Sequence, residues 1–375
     1  MTFRFLHSSD LHLGKRFGQF SGDLPAKLRE ARHAAIGRLA EHARSHGASA
    51  VLLAGDTFDT ETPAPDVRRQ ALAEMNHHAE IRWVILPGNH DSLQAAQLWA
   101  TLRTEAPENV TLAVEAAPIE LAFGVTLLPA PCTFRRPGKD LSEWFDSAPT
   151  PEGAIRLGLA HGGVLNFSEE DGGLDVIAPD RAHRAGLAYL ALGDWHGGME
   201  IDPRTRYSGT PEPDRFKHDR EGEALLVSVD GPSAMPEVSA LRTGTFSWRT
   251  LALDLLDGDD AIARLDSLLP EPRERRQSLV NIAASGRARL EGHSALAARI
   301  DGLRPDFAWL DLDENALETE CDAGDLDAID RAGALREAAD ALLAESEDEH
   351  LSQADRDIAR AALARLYAQA QAIAP

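Results

Sequence analysis

The chain predicts an α/β layered domain followed by a smaller α+β module and terminal helices. Over roughly the first 230 residues, short apolar runs alternate with helical stretches, the pattern of a layered α/β fold. After Arg242 shorter strand and helix patterns take over, and from Asp330 onward the pattern is helical. With 375 residues, 43% of them hydrophobic, the chain can bury a large domain and a smaller one. The expected divisions are 1–242, 243–315 and 316–375.

The elements follow in order. Phe3 to Leu6 reads as a strand, and Leu24 to His46 as a helix with Leu28, Ala31, Ala35, Leu39 and His42 at helical spacing. Ala50 to Ala54 is the most apolar strand, Asp66 to His78 a weaker helix, and Trp83 to Leu86 a third strand. Further strands are expected at Val110 to Val114, Val125 to Leu128, Arg156 to Ala160, Ala188 to Leu192 and Ala224 to Val229. The second module offers strands at Phe246 to Asp254, Ser278 to Ala283 and Phe307 to Leu312. Helices at Asp259 to Leu269 and Ala295 to Leu303 separate them, with a loop at Pro270 to Gln277. Helices at Ala334 to Ala344 and Ser352 to Ile373 flank an acidic break at Glu345 to His350, and Ser352 with Asp355 forms an N-terminal capping signal.

Charge is strongly negative, with 61 acidic against 38 basic side chains and a net of −23. That argues against a generally basic, nucleic-acid-gripping surface. Its distribution is uneven. Residues 311–350 carry fifteen acids against Arg331 and Arg336, whereas residues 1–46 hold eight Lys and Arg against four acids. The acidic stretch reads either as a solvated linker or, with Ile358, Leu363, Leu366, Tyr367 and Ile373 as an apolar stripe, as part of a docking element. Cys132 and Cys321 are too few and too far apart for a disulfide framework or a zinc pattern, so a reducing cytoplasm is expected. The N-terminus reads as a strand rather than a signal peptide. No run approaches the roughly 18 apolar residues that span a bilayer, so no membrane partner is expected.

The chemistry sits at strand ends. Asp10 and His12, Asp56 and Asp59, Asn89 and His90, His161, and Asp194 and His196 all follow the C-terminal end of an expected strand, the edge where layered α/β folds bind ligands. Taken singly, each motif is ordinary: an Asp-x-His after a strand is more often a turn or a cap, Gly-Asn-His-Asp suits a tight turn, and His161 could be an interior histidine. Their joint occurrence in this order is far harder to obtain by chance. Oxygen and imidazole donors without thiolate suit Mn²⁺ or Fe²⁺, and there are enough for two ions bridged by a carboxylate about 4 Å apart.

In order and spacing these segments resemble the calcineurin-like metallophosphoesterases, and within them the DNA-repair exonucleases of the SbcD type. The motifs are Ser-Ser-Asp-Leu-His-Leu-Gly, Gly-Asp-Thr-Phe-Asp, Leu-Pro-Gly-Asn-His-Asp and the run from Arg206 to Phe216. The resemblance implies a layered β-sandwich core flanked by helices, with a C-terminal α+β cap. It also implies that Asp10, His12 and His196 hold one metal, that Asp56 bridges, and that Asn89 and His161 hold the second. His90 would face the scissile phosphate with Asp59 orienting its ring, and a metal-bound hydroxide would attack phosphorus in line. The family's last motif is Gly-His-x-His. Here its first histidine is Asp194, expected to serve as a ligand that makes the site more negative and favours harder ions.

Lys15 and Arg16 directly follow the first motif and are expected to bind substrate phosphate; Arg135, Arg136, Lys139, Arg215, Lys217, Arg220, Arg273, Arg275 and Arg276 lie in expected loops and could do the same. The resemblance implies DNA as substrate, an SMC-like coiled-coil ATPase as partner, and a homodimer through helices such as Asp66 to His78 and Leu93 to Leu102. A small-molecule phosphodiesterase or phosphatase of the same superfamily is the alternative, for which an acidic surface presents no difficulty. The 133 residues after Arg242 exceed what such an enzyme needs.

Overall fold

Strand β1 (Phe3–Ser8) is central to a six-stranded sheet in the computed structural model, which describes residues 2–165, 177–219, 221–256, 258–320, 326–327, 329–330 and 333–373. β2 (Ala50–Leu53), β3 (Arg82–Ile85) and β4 (Val110–Leu112) extend it in parallel on one side, and β11 (Glu223–Val229) pairs antiparallel with β1 on the other, followed by β12 (Glu237–Arg242). A second six-stranded sheet has the order β5 (Ile119–Ala122), β6 (Val125–Ala130), β7 (Ile155–His161), β8 (Tyr189–Gly193), β10 (Thr205–Tyr207), β9 (Met199–Asp202). β6, β7, β8 and β10 are mutually parallel.

The two sheets stack face to face through Phe5, Leu52 and Val84 against Leu127, Leu157 and Tyr189. The residues alternating with these on β2, Val51 and Leu53, face the other way and pack under helices, because a strand buried on both faces needs apolar residues at every position. The helices are α1 (Leu24–Ser45), α2 (Pro65–His77) and α3 (Ala96–Glu105), which contribute Leu39, Met75 and Trp99 to that outer layer. Phe145, together with Ala182 of the short helix α4 (Arg181–Arg184), covers the outer face of the second sheet. This is the layered sandwich flanked by helices that the resemblance implied. The strands β5, β9, β10 and β12 were not expected; each is short or carries exposed polar residues that blur its alternation.

The chain divides into two units, Met1–Ser247 and Trp248–Pro375. The second is built on the three-stranded sheet of β13 (Ser247–Leu255), β14 (Ser278–Arg289) and β15 (Trp309–Glu320), with α5 (Ala261–Leu268) and α6 (Leu290–Leu303). β14 and β15 pair in parallel from Leu279 with Trp309 to Arg289 with Glu320, several residues beyond the expected strand ends. The start of the acidic 311–350 stretch is therefore a paired strand, which continues the strand expected at Phe307 to Leu312 as far as Glu320. Helices Ala334–Glu347 and Gln353–Ile373 follow. Asp355 N donates to Ser352 Oγ at 3.2 Å, as the capping signal predicts.

The apolar stripe of the last helix is largely used within this unit. Leu363 and Tyr367 are buried with Leu290, Leu326 and Ala339, while Ile358 remains 67% exposed. Cys132 is a buried thiol, outside any disulfide, that donates to His161 O at 3.5 Å; Cys321 and Arg220 lie outside the described residues, as does the side chain of Ile373. Among the described residues no helix is long and apolar enough to cross a membrane.

Candidate metal centre

Since β1, β2 and β3 are parallel within one sheet and β7 and β8 within the other, the loops leaving their C-terminal ends carry the expected donors to a common edge. The first two loops are zipped together: Asp10 N donates to Gly55 O at 3.1 Å, His12 N to Asp56 O at 2.9 Å and Leu13 N to Thr57 O at 2.9 Å. Asp10, His12, Asp56 and Asp194 all adopt positive φ, 56°, 41°, 52° and 106°, a conformation non-glycine residues hold only where the surroundings enforce it. Two glycines make the close approach possible. A Cβ on Gly88 would collide with the Asp56 carboxylate, and one on Gly55 with the His161 ring.

Asp10, His12, Asp56, Asn89, His90, His161, Asp194 and His196 come together. One group comprises Asp10, His12 and His196, with His12 Nε2 and His196 Nε2 each 3.9 Å from Asp10 Oδ1. A second comprises Asp10, Asp56 and His161. Asp56 Oδ2 stands between them, 3.6 Å from His12 Nε2 and 3.5 Å from His161 Nε2. Asp194 Oδ1 is 3.8 Å from His161 Nε2 and accepts a hydrogen bond from Asn89 Nδ2 at 3.1 Å.

The donor atoms fit divalent cations. Asp10 Oδ1, His12 Nε2, Asn89 Oδ1 and His161 Nε2 are buried with no hydrogen-bond partner among the described residues, a costly arrangement unless something else satisfies them. Electrostatics agree. Burial disfavours charge on His161, yet Asp56, Asp10 and Asp194 outweigh it and push the ring's pKa up to about 9. Burial, with Asp91 and Asp10 nearby, raises Asp56 well above the usual carboxylate range despite His161. So many carboxylates in one buried place call for positive charge.

Around the donors is a supporting layer, of which the sequence marks Asp91 but not Asp214. His196 Nδ1 lies 3.0 Å from Asp214 Oδ1, and Lys15 pairs with the same carboxylate. His161 Nδ1 is held by Ala54 O at 2.8 Å. Asp91, fully buried, accepts from Gly88 N at 2.7 Å and Phe58 N at 3.0 Å, tying the third loop to the second. The run from Arg206 to Phe216 contributes Tyr207, whose hydroxyl donates to Gly162 O, and Thr210, whose Oγ1 donates to Asp10 O. Its position in a recurring motif was the available signal; no residue pattern separates Asp214 from an ordinary loop acid.

Three expectations change. The Asp59 carboxylate lies 3.2 Å from His12 Nδ1, and it is the main-chain carbonyl of Asp59 that sits 3.0 Å from His90 Nδ1. Lys15, expected to bind substrate, is engaged by Asp214, while Arg16 is exposed. The basic excess of the first 46 residues is partly internal. Arg32 is buried and donates to Leu11 O, Asp10 O and Glu212 O, and Arg38 pairs with Glu212.

The family model for calcineurin-like phosphoesterase matches residues 3–221. An Escherichia coli (strain K12) protein named as a subunit of the nuclease SbcCD is 38% identical over 93 residues, 24% of this chain and 22% of that protein. The Rhodobacter capsulatus protein of the same name is 27% identical over 259 residues, covering 56% and 62%. The Bacillus subtilis protein named uncharacterized metallophosphoesterase YhaO is 26% identical over 278 residues, covering 69% and 65%. In each of these three the matched stretch spans less than two thirds of the relative's length. Among solved structures, the protein TT1561 of Thermus thermophilus matches with a TM-score of 0.41 and 11% identity, over 65% of this chain and all of that one.

Proposed function

The chain belongs to the calcineurin-like phosphoesterase family, and from that premise we propose that it is a two-metal phosphodiesterase that cuts DNA. The observation that carries the reading is the buried set of ligand atoms without a hydrogen-bond partner among the described residues, Asp10 Oδ1, His12 Nε2, Asn89 Oδ1 and His161 Nε2, gathered around Asp56. Asp10, His12 and His196 would hold one ion, Asn89, His161 and Asp194 the other, with Asp56 shared; manganese fits this donor chemistry, and iron is possible. Bound divalent cations supply Lewis acidity, lowering the pKa of water and neutralising a phosphoryl group's charge.

The chain's own residues do the rest. With Nδ1 held by the Asp59 carbonyl, His90 keeps Nε2 for exchanging a proton with the leaving oxygen. Its main-chain N–H donates to Asp56 Oδ1 at 2.8 Å, which fixes the ring's position relative to the shared carboxylate. Asp59 braces His12 and Asp214 braces His196, so each imidazole presents a defined nitrogen. Nothing in this scheme asks for a protein nucleophile.

DNA as substrate, with a role in repair alongside an SMC-like coiled-coil ATPase, rests on the motif resemblance; the name of the E. coli and R. capsulatus relatives, a subunit of the nuclease SbcCD, supports a nuclease that works with a second subunit. A small-molecule phosphodiesterase or phosphatase is the second reading, favoured by the net charge of −23 and by the internal engagement of Arg32, Arg38 and Lys15. A Mn²⁺-dependent assay comparing end-labelled duplex and single-stranded DNA with a small phosphodiester, His90→Ala as control, separates them. DNA cleavage abolished in the control is expected; turnover of the small ester alone selects the second reading.

A further inference from the structure

The loop leaving β6, residues 131–142, contributes no donor to the centre yet borders it on two sides. At its root Cys132 N donates to Pro87 O at 3.1 Å and Leu93 N donates to Cys132 O at 2.9 Å, bracketing the turn that carries His90. At its far end Asp140 accepts from Ser142 N and from Arg181, and Pro137, Lys139 and Asp140 line a small cleft that includes His161. Between these anchors Phe134, Arg135 and Arg136 form an exposed crest, with Phe134 57% exposed.

Exposure alone carries nothing, because isolated surface aromatics are ordinary. Phe123 is 95% exposed, and it lies in the turn between β5 and β6, at the end of β6 away from the centre. Phe134 follows the other end of the same strand. Its loop is pinned on both sides and holds three cations and one paired acid, in a chain whose net charge is −23. An aromatic face beside a cation, next to a phosphoester-cleaving centre, is what a nucleotide's base and phosphate together require.

We propose that Phe134 is a stacking platform for the base next to the scissile phosphate of a single-stranded nucleic-acid substrate, with Arg135 facing the adjoining phosphate. This rests on the phosphodiesterase reading and narrows its substrate to nucleic acid with unpaired bases. Stacking is sequence-tolerant, since every base has a π-face, so the platform selects for the presence of a base and not for its identity.

The test uses the full chain with Mn²⁺ and two end-labelled oligomers of equal length, an oligothymidylate and one of abasic residues, beside a small phosphodiester. Phe134→Ala is expected to lower kcat/KM on oligothymidylate by roughly 5- to 150-fold, mainly through KM, and to leave the abasic oligomer unchanged. Phe134→Trp should restore the preference. Equal effects on both oligomers, or none on either, overturn the platform. If the wild type turns over the small ester and neither oligomer, the nucleic-acid assignment is overturned while the phosphodiesterase reading stands. If it hydrolyses no phosphodiester, both fall.

Discussion

Asp214 Oδ1 lies 3.0 Å from Nδ1 of His196, and the Lys15 ammonium grips the same carboxylate, so the ring is fixed with Nε2 on the side of Asp10. Burial would raise the Asp214 pKa, but His196, Arg32 and Lys15 hold it well below the usual range. It is thus an anion behind a candidate ligand, and it orients the imidazole. Asp214→Ala should weaken Mn²⁺ binding by roughly 10- to 100-fold, read by titration calorimetry, with Asp214→Asn weakened less because its amide oxygen can still accept from Nδ1. Equal affinity in all three proteins would show that the contact is idle.

Asp59 offers a sharper case, since its two oxygen types serve different rings. The carboxylate faces His12 at 3.2 Å and the carbonyl faces His90 at 3.0 Å. Asp59→Ala removes only the first contact. Metal affinity should drop by roughly 10- to 100-fold while kcat at saturating Mn²⁺ is retained. His90→Ala should do the reverse, cutting kcat by roughly 10²- to 10⁴-fold with metal content unchanged. A kcat loss in Asp59→Ala that excess metal cannot restore would mean that its carboxylate acts through His90 after all.

The comparison of these residues also shows what a sequence can disclose. Asp10, His12, Asp56, Asn89, His161, Asp194 and His196 were legible because each follows a strand, and parallel strands deliver their ends to one edge. The partner of Asp59 was not, because a loop's path decides whether a side chain or its carbonyl points inward. Nor was the internal engagement of buried Arg32 and half-buried Arg38: composition counts a guanidinium as surface charge whether or not main-chain carbonyls accept from it. β14 and β15 were read too short for a related reason. Their outer halves, such as Arg287 paired with Glu318 at 3.2 Å, are polar on an exposed face and carry no apolar alternation.

Asp194 stands where the family pattern has histidine, and its surroundings suit a ligand. Its Oδ1 is 3.8 Å from His161 Nε2 and accepts from Asn89, and its main-chain N–H donates to Asp10 Oδ2 at 3.1 Å. Metal analysis after gel filtration should find that Asp194→Ala loses one of two bound Mn²⁺ and that Asp194→His keeps both. Full occupancy with wild-type turnover in the alanine variant removes Asp194 from the donor set. Because the residue sits at φ 106°, Asp194→Gly should stabilise the metal-free protein by about 1 kcal/mol while losing the same ion.

Arg32 provides the last test, of how the first metal loop is held. It lies on α1, fully buried, and its guanidinium donates to Leu11 O at 2.6 Å, Asp10 O at 2.8 Å and Glu212 O at 2.7 Å. Those three carbonyls belong to the loop after β1 and to the run that carries Asp214, so one side chain joins the loop of one candidate ligand, Asp10, to the run that braces another, His196. Arg32→Met keeps much of the volume and removes every donor; Thr210 Oγ1 still reaches Asp10 O, but Leu11 O loses its side-chain partner, at about 1–3 kcal/mol before relaxation. Urea unfolding should register a loss of roughly 3–5 kcal/mol, the range for breaking a buried charged contact. Metal affinity should drop at temperatures where the variant is still folded, since Asp10 and His196 no longer share a fixed frame. A variant that unfolds earlier yet binds Mn²⁺ with wild-type affinity would confine Arg32 to stability alone.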